Sequence, residues 1–405
     1  MRILMLAPQP FYSERGTPMN VRLLCRVLGE AGHKVDLLVF PTGQDVVLEN
    51  TTIIRLPNLF RVSTIPTGPS RIKLAYDCLL AVHALWLCLT RKYDVIHGIE
   101  EGGFLSVFWG RLFRKKSVYD MDSCISEQLR YSKFISRESL LSQVKRLEKW
   151  SLKQASLVIT VCEALTETAR SFAPNAKIVQ IEDIPISAPE DSRDSEKTAE
   201  QLVERYGLSD SARVVYTGNL VGYQGIDLLL DAWKVFLGLD RSAQAARLVI
   251  VGGPEERAEH YRRLAARHGT ADSISWIGPR PSGEMSAWMA LSDVLVSPRS
   301  EGDNTPLKIY SYMSSGRPIV ATRRRTHTQV LDDTMAFLPE PNPEEFGRAL
   351  HETLTDRESS RAKGAKARAA VEAHYSYPVF REKLLGAYEA LAPAIPVADV
   401  REEKS

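Results

Sequence analysis

The sequence has few of the features that mark secreted, zinc-binding or membrane-spanning proteins. Its five cysteines are scattered without CxxC or His-rich spacing, so neither a structural zinc site nor an even disulfide framework is indicated. The first residues, "MRILMLAPQPF", lack a long apolar stretch with a small-residue cleavage site and instead favour a β-strand. These absences predict a reduced, cytoplasmic protein without a signal peptide.

Long apolar runs are also scarce. The most apolar window, "LLAVHALWLCLT" at 79–90, is shorter than the roughly 18 residues that a membrane-spanning helix needs, and Asp77 precedes it. We therefore expect a helix from about residue 71 that does not span a membrane. No low-complexity tract or repeat of fixed period stands out, and this favours an ordinary globular protein.

The length of the chain and the distribution of its charge are informative. At 405 residues the chain is long enough for two domains, because single cores stop growing at roughly 250–300 residues. Residues 1–180 hold 24 Lys/Arg against 16 Asp/Glu, whereas residues 181–405 hold 28 against 34. The basic first half suits an anionic partner, whether a membrane, a lipid phosphate or a nucleic acid, and equally an ordinary solvated surface.

Short apolar runs alternate with amphipathic segments along the chain. The predicted strands of the first half are "RILMLA", "VDLLVF", "IIRLP", "YDVIHG", "SVYDM", "SLVITV" and "KIVQI". Those of the second half are "RVVYTG", "RLVIVGG", "ISWIG", "VLVSP", "PIVAT" and "AFLPE", with helices predicted at 225–237, 255–268, 283–291, 305–315, near 327 and from 343. This alternation predicts two doubly wound α/β domains, each with a parallel sheet covered by helices on both faces.

The alternation is interrupted at 184–200, "IPISAPEDSRDSEKTAE", where prolines, serines and acidic residues replace apolar periodicity. We predict a first domain at 1–183, a linker at 184–200 and a second domain at 201–378. A final helix at 379–392 carries an apolar stripe that needs a surface to pack against. Residues 393–405 are predicted to be a flexible tail.

Ligands of open α/β sheets bind at the carboxyl ends of the strands. After the first strand, Gly16 allows a ligand to approach the backbone, and Thr17 is predicted to cap the helix that has Pro18 in its first turn. A plain cap and turn explains this loop equally well. The loop therefore indicates a ligand only in combination with other sites.

Acidic residues and one histidine follow the fourth and fifth strands: His97, Glu100, Glu101, Asp120 and Asp122. Such groups orient sugar hydroxyls or accept a proton, although a strand-end histidine is more often structural. The "DMD" run also matches a divalent-metal motif of one class of sugar transferase. The two-domain layout argues against metal.

Two loops of the second half suit a phosphate group. "YTGNLVGYQGID" places Gly218, Gly222 and Gly225 between a strand and a helix, but it matches neither GxGxxG nor GxxxxGK[ST]. In "SEGDNTPLKIYSYMSSGRPIVAT", a helix is predicted to begin at Thr305-Pro306, where free N–H groups and the helix dipole favour an anion by roughly 0.3–1 kcal/mol. Lys308 adds a full charge nearby.

A second explanation of this helix is that Asp303 or Glu301 caps it and pairs with Lys308. The two explanations differ in where the lysine points. Under the first, Lys308 is free to meet a diphosphate. Under the second, its charge is already neutralised.

The motifs together resemble the retaining nucleotide-sugar glycosyltransferases of family 4, which have the GT-B fold. The resemblance covers almost the whole chain. Its carriers are "RGTPMN", "YDVIHG", "YTGNLVGYQGIDLLLDAW", "RLVIVGG", "SEGDNTPLKIYSYMSSGRPIVAT" and the closing amphipathic helix. The "EGDNTPLKIYSYM" motif marks a variant subgroup.

The resemblance implies that the second domain binds the nucleotide sugar, the first binds the acceptor, and the last helix crosses back to the first domain. It requires no metal and no cofactor, and nucleic acid is not an expected partner. The implied catalytic residues are Asp122, Glu301 and Lys308. The implied donor-binding residues are Gly16, Gly218, Asn219, Gln224, Arg299, Gly302, Asp303, Asn304, Thr305, Leu307 and Ser311, and the acceptor-side residues are Thr17, His97, Glu100 and Asp120.

Several positions depart from the family pattern. Asn219 and Gln224 stand where members usually have an arginine and a lysine for the diphosphate. Ser311 aligns with the glutamate that holds the ribose, and Asp122 with a frequent histidine. We expect Lys308, Arg299 and the helix N-terminus to take over the charge. A catalytically silent binding subunit and a nucleotide-sugar epimerase of the same fold remain alternatives.

The acceptor is indicated only by surface character. The basic first half, "RLFRKK" at 111–116 and the apolar helix from residue 71 suggest a monotopic enzyme that glycosylates a lipid or a lipid-linked, cell-envelope glycan at the inner face of the membrane. A polysaccharide or a small soluble acceptor remains open.

Overall fold

The computed structural model describes residues 1–13, 16–66, 68–131, 137–185, 192–209, 211–240 and 245–391. Within these ranges the chain forms two α/β domains, each built on a parallel sheet. The predicted fold class is confirmed at this level.

The first domain has a seven-stranded sheet in the order β3-β2-β1-β4-β5-β6-β7 among the described residues. Strand order reverses between β1 and β4, so their carboxyl ends border a crevice of the kind that binds ligands in open α/β sheets. The strands are β1 (Arg2–Ala7), β2 (Lys34–Val39), β3 (Thr51–Arg55), β4 (Val95–Ile99), β5 (Lys116–Met121), β6 (Leu157–Thr160) and β7 (Ile178–Gln180). The helices are α1 (Gly16–Glu30), α2 (Arg71–Thr90), α3 (Gly102–Leu112), α4 (Ile125–Tyr131), α5 (Glu138–Gln154) and α6 (Glu163–Phe172).

The second domain has five strands in the order β10-β9-β8-β11-β12 within the described ranges, and its order reverses between β8 and β11. The strands are β8 (Ala212–Thr217), β9 (Ala246–Val251), β10 (Ile274–Gly278), β11 (Val294–Ser297) and β12 (Ile319–Ala321). The helices are α7 (Ser192–Arg205), α8 (Ile226–Leu237), α9 (Glu255–His268), α10 (Met285–Ala290), α11 (Leu307–Ser315), α12 (Arg325–Thr328), α13 (Pro343–Thr355), α14 (Arg357–His374) and α15 (Tyr377–Glu389).

One predicted strand of the second domain is not formed. The "AFLPE" segment makes a single bridge between Phe337 and Val320 rather than a ladder. Its apolar side chains are nevertheless buried against the sheet, with Ala336 and Leu338 in the core. Burial, and not strand pairing, explains the apolar run.

The segment between the domains differs from the prediction. Residues 184–200 were expected to be an irregular linker, but α7 begins at Ser192. Its side chains Ala199 and Leu202 pack against the core of the second domain, where the helix also contacts α10. The partly buried Val203 extends this narrow apolar face, and the Ser195 hydroxyl donates to Ser286 Oγ at 2.9 Å, so the helix is anchored although it is otherwise strongly charged.

The last helix of the described chain, α15, packs into the core of the first domain. Phe380, Leu384 and Tyr388 are buried there together with residues of β1 and α1. This contact buries the apolar stripe and ties the end of the chain to its beginning. The predicted tail, 393–405, lies outside the described residues.

Helix α2 is longer than its most apolar window. Ser70 caps it by accepting a hydrogen bond from the Lys73 amide, so the helix includes the residues upstream of 79–90. The helix is long enough and apolar enough to cross a membrane, by length and composition alone, and 22% of its most apolar 18-residue window is buried. The expectation that this segment is too short was wrong, because apolar residues on both sides of Asp77 belong to one helix.

Candidate active site

The loop after β8 is folded tightly against the end of β11. Gly225 has a positive φ of 73°, and a Cβ atom there would lie 2.0 Å from the Pro298 carbonyl oxygen. Gly218 has a φ of 140°, and its amide donates to the Val251 carbonyl. Only glycine meets both requirements, and the turn places the Gln224 side chain in the interior.

Lys308 points under this loop rather than out of the mouth of its helix. Its Nζ donates to the Thr217 carbonyl at 3.2 Å and to Gln224 Oε1 at 3.1 Å. It also lies 4.0 Å from the centroid of the Tyr216 ring, a cation–π contact. Burial, together with the charge of Arg299, lowers the pKa of Lys308 well below its usual range.

Arg299 organises the loop that leads into α11. Its Nε donates to the Glu301 carbonyl at 2.8 Å, its Nη2 donates to Asn304 Oδ1 at 2.9 Å, and its guanidinium lies 5.0 Å from the Tyr223 ring centroid. The side chain packs so closely on Gly302 that a Cβ there would meet Nη2 at 2.5 Å. Burial lowers the pKa of Arg299.

The entrance to α11 corrects two expectations. The helix begins at Leu307 rather than at Thr305, and no side chain caps it, so neither Asp303 nor Glu301 has that role. Thr305 is buried, and its hydroxyl accepts a hydrogen bond from Gln329 Nε2 at 2.7 Å. Glu301, Gly302 and Asp303 remain exposed.

Gln329 also connects the two domains. Its Nε2 donates to the Asp303 carbonyl at 2.9 Å, and its Oε1 accepts from the Ala164 amide of the first domain at 3.2 Å. An exposed ion pair between Arg325 and Glu167 lies on the same side. We call these contacts the Gln329 clasp.

The other predicted donor-side residues are dispersed around the loop. Asn219 is exposed, and its carbonyl accepts from the Tyr216 hydroxyl at 2.6 Å. Leu307 and Ser311 lie on α11, the first half-buried and the second buried. Gly16 belongs to the first domain, where it is the exposed first residue of α1. Thr17 therefore lies inside that helix and is not its cap.

A cluster of carboxyl groups lies at the strand ends of the first domain. The Thr17 hydroxyl hydrogen bonds to Asp122, which is 8% exposed. Burial raises the pKa of Asp122 well above its usual range, and the charges of Asp120 and Glu100 add to this effect. Glu100 has a positive φ of 50°, and burial and the charge of Glu101 raise its pKa to about 7.

Sequence reasoning missed two members of this cluster. Burial and the charge of Asp120 raise the pKa of Asp183 to about 7, and burial and the charge of Glu101 raise that of Asp77 to about 7. Asp183 lies three residues after the end of β7, so the strand-end rule could have found it. Asp77 lies inside α2, where no local signal distinguishes it from a surface residue.

His97 is fully buried and does not have a free ring nitrogen. Its Nδ1 lies 2.7 Å from the Tyr388 hydroxyl and its Nε2 lies 3.2 Å from Asp120 Oδ2. The resemblance implied that His97 contacts an acceptor directly. In the structure its ring instead contacts Tyr388 of α15 and Asp120. Tyr388 was recognised from the sequence only as part of an apolar stripe.

No metal centre is visible in the described ranges. Among those residues, no group of three or more His, Cys, Asp or Glu side chains is arranged to hold a metal ion. Asp120 and Asp122 are close enough to influence each other, but Asp120 is engaged by His97. The chemistry that these side chains offer is that of hydrogen bonding and charge.

Two family models match the chain. Residues 15–182 match the model described as Glycosyltransferase Family 4, and residues 211–356 match the model described as Glycosyl transferases group 1. Each match falls within one structural domain. The boundary between the matches lies in the region around α7.

Curated relatives resemble parts of the chain at low identity. An alpha-D-kanosaminyltransferase of Streptomyces kanamyceticus is 23% identical over 61% of this chain and 64% of its own length. A GDP-mannose-dependent alpha-(1-6)-phosphatidylinositol monomannoside mannosyltransferase of Mycobacterium tuberculosis is 27% identical over 56% of this chain and 60% of its own length. The chain thus spans about six tenths of the length of these relatives.

The architecture also resembles solved structures. The Anabaena protein Alr3699/HepE, solved in complex with UDP-glucose, matches 96% of this chain and 100% of its own, with a TM-score of 0.72 and 16% identity. At this identity the likeness concerns the fold. Together with the two parallel sheets, the matched structures support the GT-B fold.

Proposed function

We propose that this chain, which belongs to the glycosyltransferases and carries a Family 4 domain followed by a group 1 domain, transfers a sugar from a nucleoside-diphosphate donor to an acceptor hydroxyl. The family matches and the named relatives identify a transferase enzyme. In this proposal the second domain binds the donor and the first binds the acceptor, without a metal or another cofactor.

The observation that carries the proposal is a pair of cations without an anionic partner. Among the described residues, no carboxylate lies within salt-bridge distance of Lys308 or Arg299, although the charge of Asp303 acts on Arg299. The charge of Arg299 acts on Lys308. Gln224 stands where family members have a lysine, and its side-chain oxygen accepts a hydrogen bond from Lys308 Nζ. An amino group therefore reaches the same place from another helix, and a bound diphosphate would raise its lowered pKa and hold it as an ammonium.

The proposed reaction proceeds with retention of the anomeric configuration. The bond between the anomeric carbon and the diphosphate oxygen breaks, while the acceptor oxygen forms a bond to the same face of that carbon. The acceptor proton passes to the leaving diphosphate. Lys308 and Arg299 stabilise the charge that develops on that group, which is the usual electrostatic route to a lower barrier.

Side chains on both sides of the cleft support this reaction. Glu301 is exposed at the loop before α11 and is assigned to the donor sugar. Asp122 is assigned to the acceptor hydroxyl, because its raised pKa favours a protonated carboxyl that can donate a hydrogen bond.

The test is a donor screen with the purified full chain. Nucleoside-diphosphate sugars are offered singly, with and without lipid and glycan acceptors, while nucleotide release and product mass are measured. Acceptor-dependent release with one donor is expected. Isomerised donor without acceptor would indicate an epimerase instead, and calorimetric donor binding without turnover would indicate a silent subunit.

We also propose that the first domain contacts an anionic membrane through the outer face of α2. The side chains of Leu74, Val82, Trp86 and Leu89 are each more than half exposed. Their spacing places them on one side of the helix, opposite to Tyr76, Leu80 and Leu87 in the core. An exposed apolar face of this extent on a core helix suits insertion into a lipid interface.

Basic residues border this apolar face. Helix α3 contacts α2 and adds the exposed side chains of Phe108 and Leu112. Lys115 follows the end of α3, and its charge acts on the Cys88 thiol in the last turn of α2. The carboxyl-terminal ends of the two helices therefore lie near each other. The exposed cations at these ends are Lys92, Arg111, Arg114, Lys115 and Lys116, and each contributes about 1 kcal/mol near an anionic surface.

Vesicle flotation tests the membrane contact. The protein is mixed with phosphatidylcholine vesicles with or without phosphatidylglycerol, and Trp86→Ser combined with Leu89→Ser is compared with Leu239→Ser, an exposed leucine of the second domain. We expect preference for anionic vesicles, a loss of binding of about tenfold or more in the double variant, and no loss in the control. Equal flotation of all three proteins, or a dimer that the double variant dissociates, would contradict the proposal.

Membrane contact would favour a lipid-linked acceptor. One relative is named for a phosphatidylinositol monomannoside substrate, and we carry over only the chemical class. In this reading the enzyme works at the inner face of the cell membrane. A soluble acceptor that reacts equally well without vesicles would restrict the role of α2 to localisation.

A further inference from the structure

Three buried polar side chains connect the last helix with the carboxylates of the first domain. The Tyr388 hydroxyl contacts His97 Nδ1, and His97 Nε2 contacts Asp120 Oδ2. Asp120 is 1% exposed, and the other two residues have no exposed surface. Because solvent does not reach these atoms, a lost partner would leave the next group without a hydrogen bond.

The direction of the hydrogen bonds follows from the chemistry of the groups. Burial and the charge of Asp120 raise the pKa of Tyr388 well above its usual range, so its hydroxyl retains the proton and donates to Nδ1. An imidazole that accepts from Tyr388 at Nδ1 has its ring hydrogen on Nε2, which then donates to Asp120 Oδ2. One tautomer of His97 therefore fixes one orientation of Asp120.

The second oxygen of Asp120 lacks a hydrogen-bond donor among the described residues. This atom, Oδ1, is buried. A buried carboxylate oxygen without a donor is unfavourable, and a bound hydroxyl would supply the donor. The charge of Asp120 acts on both Asp122 and Glu100, which places it among the acceptor-side groups.

We propose that Tyr388 and His97 are positioning residues that hold the Asp120 carboxylate in the orientation that an acceptor hydroxyl requires. Acceptor binding then depends on the docking of α15, a helix that follows the donor domain in the chain. The inference rests on the proposed function and specifies how its acceptor side is built.

Tyr388→Phe is the first test, because it removes only the hydroxyl and keeps the ring in the core. We expect kcat/KM for the acceptor to fall about tenfold, with an unchanged Kd for the free nucleoside diphosphate and little change in melting temperature. An unchanged kcat/KM for the acceptor would overturn the proposal, as would an equal loss in donor binding.

A matched pair at His97 separates positioning from packing. The amide of His97→Gln reaches the place of Nε2 and keeps a donor for Asp120, whereas the shorter amide of His97→Asn reaches only the place of Nδ1. We expect His97→Gln to retain more acceptor kcat/KM than His97→Asn. Equal losses that follow the melting temperature would overturn the proposal, and if neither variant folds, Tyr388→Phe decides.

Nitrogen NMR of the imidazole rings tests the relay independently of turnover. The chain has eight histidines, and His97→Gln identifies the signal of residue 97. We expect an unprotonated Nδ1 in the wild-type protein and a changed signal in Tyr388→Phe. If no sugar is transferred by the wild-type protein, the proposed function fails, while an unchanged signal in Tyr388→Phe would overturn the relay itself.

Discussion

The two domains concentrate ionisable side chains of opposite type, basic in the second domain and acidic in the first. On the donor side, burial lowers the pKa of Lys308 and of Arg299, whereas on the acceptor side it raises the pKa of Asp122 and brings that of Glu100 to about 7. In each cluster like charges add to the effect of burial. We propose from this difference that the two domains bind different ligands: Lys308 and Arg299 would meet a diphosphate in the second domain, and carboxyls that can donate or accept hydrogen bonds would meet hydroxyl groups in the first.

The largest expected effect comes from removing the charge on the donor side. Lys308→Met should lower kcat/KM for the donor by about 100-fold or more, because it removes the ammonium next to the leaving diphosphate. Steady-state nucleotide release measures this loss. The matched control is Lys366→Met, which removes an exposed lysine of α14. Turnover within a few-fold of wild type in Lys308→Met would contradict the assigned role.

A smaller effect is expected from moving the cation to its usual family position. Gln224→Lys alone places a second ammonium against Lys308 and should weaken donor binding by about fivefold. Combined with Lys308→Met, it should restore the donor Kd to within about tenfold of wild type. Calorimetric titration with the nucleoside diphosphate measures all three proteins. Additive losses in the double variant would show that the two positions do not share one role.

The smallest effect concerns the stability of the acceptor side. Since the pKa of Asp183 is raised to about 7 in the folded protein, the unfolded chain loses this proton first, and the free energy of unfolding falls as pH rises from about 4 to 7. Asp183→Asn should therefore raise the melting temperature by about 2–4 °C near pH 8 and less near pH 4. Thermal scans test this, with Asp272→Asn, an exposed site, as control. A gain that is equal at both pH values would contradict the assignment.

Much of the fold follows from local patterns in the sequence. All seven strands of the first domain were predicted, because the central strands are buried apolar runs and the edge strands β3 and β7, although only partly buried, are rich in β-branched residues. The "AFLPE" run was equally apolar but formed only one bridge, since burial and ladder formation have the same signature. Helix α7 was missed because its apolar face is narrow, with Ala199, Leu202 and the partly buried Val203 packed against the core.

Site residues whose positions follow from the local sequence could be predicted. Orientations and partners that are set by tertiary contacts could not. Strand-end positions identified Asp120, Asp122 and Glu100, which the structure brings together. The direction of Lys308 could not be predicted, because it is set by the Gly225 turn of another loop. The partner of His97 lies at Tyr388, far along the chain, and no local pattern links the two.

The Gln329 clasp is a weak contact between the two domains. On this side the described contacts between the domains are the Gln329 amide, a long contact from Cys162 Sγ to the Asp303 carbonyl and one exposed ion pair, and each contributes only about 1 kcal/mol or less. Contacts of this strength are individually easy to break, and domain movements in proteins occur on the microsecond-to-millisecond scale. Under the proposed function, spent nucleotide would leave when these contacts break, while α15 stays packed in the core of the first domain.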